Sequence, residues 1–86
     1  MGSVMFEKTK QYKIKLSVSY GNTGSCTYMY FKRDVPVKLT GNDAEDYVFK
    51  LLIEEARSYG LRAGRTYVAP KSITQIRVLE FNQMIP

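Results

Sequence analysis

Histidine is absent from the 86 residues, and cysteine occurs once, at Cys26. These absences exclude Cys/His zinc sites, Ser-His-Asp and Cys-His nucleophilic systems, and histidine acid–base chemistry within one chain. A single cysteine also excludes an intramolecular disulfide. No apolar run approaches the roughly 18 residues needed to span a bilayer. The start, Met1-Gly2-Ser3-Val4-Met5-Phe6, lacks the long apolar stretch of a secretory signal, so a cytoplasmic location is expected. Met1 to Val4 reads as a cloning remnant, with Met5 as the native start. Internal repeats, low-complexity segments and blocks of like charge are missing too.

What is present fits one soluble domain with room for a sheet, one or two helices and a modest core. A formal net charge of +5 favours acidic partners, although the lysines and arginines are spread along the chain. Residues 1–10 read as a flexible entry, 11–82 as a single α+β domain and 83–86 as a tail.

Two alternating runs dominate the first half. Tyr12, Ile14, Leu16, Val18 and Tyr20 alternate with Lys13, Lys15, Ser17 and Ser19, the period of a half-buried strand running from Gln11 to Tyr20. The turn Gly21-Asn22-Thr23-Gly24 leads into Ser25 to Lys32, and Val35, Val37 and Leu39 keep the parity, so the second strand can extend to Leu39. Pro36 must then lie on an edge or at a bulge. A symmetric turn pairs Val18 with Thr27, Leu16 with Met29 and Ile14 with Phe31. This buries apolar against apolar and leaves Ser17 beside Tyr28 and Lys15 beside Tyr30 on the outer face. A slip of one residue would turn one strand inside out.

The helix is expected to start near Thr40-Gly41-Asn42-Asp43 and stop at Gly60. Asn42 with Glu45 matches a capping box better than Thr40 with Asp43. Asp43, Glu45 and Asp46 are read as first-turn acids, with Arg57 near the last turn, as the helix dipole favours. Its polar strip is Asp43, Asp46, Lys50, Glu54 and Arg57. The apolar arc (Ala44, Tyr47, Val48, Phe49, Leu51, Leu52, Ile53, Ala56, Tyr59) is wider than the roughly 100° one contact with a sheet requires. The loop after Gly60, the N-terminal segment or another chain must cover the excess, so Tyr47, Phe49 and Ile53 are candidate interface residues. Glu55 lies inside this arc, which places it at the rim or beside a basic group.

Leu61 to Thr66 reads as a loop, Tyr67-Val68-Ala69 as a short extended piece and Pro70-Lys71-Ser72 as a break. From Ile73 to Phe81, the series Ile73, Arg77, Leu79 and Phe81 runs out of phase with Ile76 and Val78. A strand apolar on both sides belongs in a sheet interior or against a second layer. The order is β–β–α–β, giving a two-layer α+β sandwich. Its three-stranded, mainly antiparallel sheet gains a fourth strand if Tyr67 pairs, and one helix covers one face.

The open face carries Lys13, Lys15, Tyr28, Tyr30 and Lys32. Aromatic rings can stack on unpaired bases while lysines hold phosphates. Tyrosines equally anchor protein interfaces, or simply suit a solvated strand. No aromatic motif of the RNA-recognition fold is present. Arg57, Arg62 and Arg65 with Gly60 and Gly64 resemble an anion loop in composition. They follow a helix C-terminus, however, where the dipole repels anions, so a helix cap with solvated arginines is the simpler account. Cys26, beside Ser19 with no base nearby in sequence, is read as a structural thiol. No cofactor, metal or membrane contact is expected, and no set of residues forms a catalytic group.

The expected function is a small non-catalytic interaction module, a type common among accessory and regulatory proteins of phages and mobile elements. It would bind a protein partner or itself through helix and sheet surfaces. The alternative is binding of single-stranded nucleic acid by Lys13, Lys15, Tyr28, Tyr30 and Lys32, with Arg62 and Arg65 clamping the backbone.

Overall fold

The computed structural model describes residues 8–84. Met1 to Val4, most of the expected entry segment and the end of the tail lie outside the described residues. Strand β1 (Thr9–Tyr20) pairs antiparallel with β2 (Ser25–Pro36). Their register is the one that apolar parity dictates: Ile14 opposite Phe31, Leu16 opposite Met29 and Val18 opposite Thr27. Positive φ at Gly21 and Gly24 closes the turn. β1 begins two residues earlier than the alternation suggests, because Thr9 and Lys10 pair with Pro36 and Val35. β2 stops at Pro36 rather than running to Leu39: the Leu39 amide donates to the Pro36 carbonyl, turning the chain toward the helix.

Helix α1 (Gly41–Tyr59) follows. Its N-cap is Thr40, whose backbone carbonyl accepts from the Asp43 amide without a side-chain cap. The Asn42–Glu45 box is therefore not formed, since Asn42 is already inside the helix, and only Asp43 of the three acids falls in the first turn. Gly60 stops the helix as expected, its amide donating to the Ala56 carbonyl.

The stretch read as a loop after Gly60 is a small hairpin, β3 (Leu61–Ala63) with β4 (Thr66–Val68), and it forms its own two-stranded sheet. Strands of three residues are too short to show a period, yet Leu61 and Val68 from this hairpin are buried in the core. A single 3-10 turn (Pro70–Ser72) then leads to β5 (Ile73–Gln83).

The main sheet has the order β2-β1-β5, all antiparallel, so the architecture is the expected α+β arrangement with one helix. β5 is an edge strand, and the interior position belongs to β1. Its two-phase pattern comes from register irregularities against β1, between Lys15 and Leu16 and between Ser19 and Tyr20. Each inserts one residue, Leu79 or Thr74, and resets the parity. Ile73, Ile76, Val78 and Phe81 thereby all pack toward the core on the helix side. Phe81 stacks on Tyr12 with ring centroids 4.3 Å apart.

The core joins Ile14, Leu16, Val18, Met29, Phe31 and Val35 of the sheet to Ala44, Val48, Leu52 and Ala56 of α1. The helix thus buries one narrow line at four-residue spacing, with alanine at both ends where the helix backbone must approach its neighbours.

Candidate functional site

Pleating puts Lys13, Lys15 and Ser17 of β1, Tyr28, Tyr30 and Lys32 of β2, and Arg77 and Glu80 of β5 on the face away from α1. Tyr28 and Tyr30 are 58% and 59% exposed. The Lys15 ammonium lies 5.0 Å from the Tyr28 ring centre and 5.8 Å from that of Tyr30, a cation held between two rings. Lys13 and Lys32 stand directly opposite each other across the hairpin. Like charges in that position are destabilising, so the pair calls for an anion or for water.

Arg62 joins this cluster from β3. With Lys13, Tyr30, Lys32 and Gly64 it lines a shallow groove of about 390 Å³ beside the outer edge of β2, and none of the lining residues is acidic. Arg33 also lines it but is committed elsewhere: its guanidinium sits 3.1 Å from the Glu55 carboxylate and 5.1 Å from the Phe31 ring centre. Glu55 is therefore both half-buried at the rim and paired. Arg62 lies 5.9 Å from the Tyr67 ring centre. Arg65 is exposed at the hairpin turn and does not line the groove, so of the two expected clamp residues only Arg62 reaches the lysines. Arg57 is on the other side of the molecule's helix, facing Ile53, Pro70 and Ile73, which separates it from Arg62.

The candidate interface residues of α1 divide between two flanks. Tyr47 and Leu51, 37% and 39% exposed, share a stripe with Glu55, whose partner Arg33 places it on the β2 side. Phe49 and Ile53 turn toward β5. Ile53 lines a groove of about 240 Å³ with Ile73 and Ile76. Phe49 lines one of about 300 Å³ with Ile76, Val78 and Arg77, and with Glu45 and Asp46 of α1 at its rim. All four apolar side chains, Phe49, Ile53, Ile76 and Val78, remain only half-buried. The small hairpin and the 3-10 turn cover part of the wide helix arc, but among the described residues no element closes over this flank.

Sequence reasoning misses the contribution of β5 to this surface. The phase break between Val78 and Phe81 is the available signal, because a break within an apolar alternation is what a bulge produces. Cys26 is exposed, and its sulfur lies 3.0 Å from the Ser17 hydroxyl oxygen. Among the described residues no group of three or more acids or cysteines is placed to hold a metal ion, and no helix is long and apolar enough to cross a membrane. No family model, curated protein or solved structure matches this chain, so the surfaces themselves are the ground for a functional reading.

Proposed function

We propose that this chain is a non-catalytic protein-interaction module that takes its partner along the flank formed by β5 and the adjoining side of α1. One observation carries this: Phe49, Ile53, Ile76 and Val78 stay half-buried next to an eleven-residue edge strand. Unpaired strand amides and carbonyls are a template for another chain, and contiguous apolar surface beside them adds binding energy without requiring a shaped cavity. Photo-crosslinking tests it. A benzophenone side chain in place of Phe49 is expected to give protein adducts, while the same group in place of Thr23, at the exposed hairpin turn, gives none.

A second reading has its own support in the acid-free groove lined by Lys13, Lys32 and Arg62 with Tyr30. Lysines hold phosphates there while a base stacks on Tyr30 or Tyr28, each stack worth roughly 1–3 kcal/mol. On this account single-stranded RNA or DNA shifts in mobility at low salt, and the shift weakens steeply as salt rises. A chain carrying Tyr28→Ala and Tyr30→Ala loses most of it with its fold intact, because both rings are exposed. No binding to either nucleic acid at low salt removes this second reading.

A further inference from the structure

We infer that the partner taken by the β5 flank is a second copy of this chain, joined edge to edge so that the two three-stranded sheets continue into one of six strands. This rests on the interaction-module reading and names its partner. Of the two sheet edges, β2 is flanked by β3 and ends in Pro36, whereas β5 has no strand on its far side among the described residues.

The occupant follows from the parity of β5 itself. Because Leu79 is the inserted residue, Arg77 and Glu80 share the open face although three positions apart. Ile76 and Phe81 likewise share the helix face although five apart. An identical strand running antiparallel and centred on the bulge then sets like face against like face in the three pairs on each side of it, Gln75 with Asn82, Ile76 with Phe81 and Arg77 with Glu80. Arg77 meets Glu80 of the second copy, and Ile76 meets Phe81 of the second copy, each twice by symmetry. Any even-numbered register across the bulge would oppose an inward residue to an outward one.

Arg77 and Glu80 are both exposed, and neither forms an ion pair or side-chain hydrogen bond with another described residue. They are opposite in sign at the two positions this pairing joins. The apolar side chains left half-buried on each flank, Phe49 and Ile76 among them, come to lie along the seam between the two helices.

Charge reversal at these two exposed positions tests the register without disturbing the core. At positions 77 and 80 of a self-pair, Arg77→Glu sets four carboxylates together, adding to Glu45 and Asp46 of each copy nearby, and Glu80→Arg sets four guanidinium groups together. Each variant alone is expected to associate ~10-fold or more weakly than the unaltered chain. An equimolar mixture of the two sets both carboxylates of one variant against both guanidinium groups of the other. It is expected to recover a species of twice the 9.9 kDa chain mass by sedimentation. A mixture that stays as weakly associated as its components overturns the inference, as does an unaltered chain that sediments at 9.9 kDa at every concentration. Failure here stays distinct from failure of the interaction reading: adducts from position 49 to a different protein retain that reading and remove only the second copy.

Discussion

Leu16→Ala is expected to lower the free energy of unfolding by about 3–4 kcal/mol. Leu16 is fully buried on the central strand, opposite Met29 on one side and Val78 on the other, beneath the line of α1 that carries Val48 and Leu52. Both neighbouring strands are held by backbone hydrogen bonds, so the site cannot collapse around the missing atoms and a cavity adds to the lost transfer energy. A domain of this size has roughly 5–10 kcal/mol to begin with, so the variant retains little stability at room temperature. Urea unfolding followed by circular dichroism measures the loss. A change under about 1 kcal/mol would mean that Leu16 does not sit at a closed sheet–helix interface.

Gly60→Ala is expected to be as damaging for a different reason. Gly60 ends α1 with φ at 81°, where any side chain is strained, and a Cβ there would fall 2.5 Å from the Val68 carbonyl oxygen. That oxygen is backbone of β4, and the Tyr67 ring and Pro70 also approach within 3.1 Å. Nothing flexible can give way. Relief requires the small hairpin to move off the helix end, and the hairpin supplies Leu61 and Val68 to the core and a Tyr67 hydroxyl bond to the Tyr59 carbonyl. The expected loss is about 3 kcal/mol or more. Gly64→Ala is the control: its φ is 61°, but a Cβ there meets nothing within 4 Å, so only the conformational cost of about 1 kcal/mol applies. Equal losses at the two positions would contradict the close approach at Gly60.

Gly60 also marks the boundary of what the sequence makes legible. The helix end can be read from it, but the reason glycine is required there cannot: the Val68 oxygen approaches from eight residues downstream. The β1–β2 register is legible because only one parity buries Ile14, Leu16, Val18, Met29 and Phe31 together, and a period of two leaves no intermediate choice. Asn42 misleads because capping pattern is local, whereas the helix start is set by the turn out of β2 at Pro36–Leu39. The hairpin at Leu61–Val68 is hidden by its short strands. β5 reads as apolar on both sides because bulges carry no letter of their own. They show only as a phase error, and here that error contains the edge on which the functional proposal depends.

For the candidate site, alternation alone assembles Lys13, Lys15, Tyr28, Tyr30 and Lys32, since neighbours across a hairpin follow from its register. Arg62 reaches them only through the fold of β3 against β2, and Arg65, at the hairpin turn, does not. Phe49 and Ile53 stand out because the helix arc is too wide for one contact. Their actual neighbours, Ile76 and Val78, depend on the bulge.

The most direct measurement is crosslinking from a benzophenone at position 49, carried out on the purified chain and in cells that express it, with adduct masses determined. Adducts from position 49, joined to residues of a second protein chain and absent from position 23, are the predicted result. Illumination that yields no intermolecular adduct from position 49 in either setting would contradict the claim that the β5 flank is a protein-binding surface.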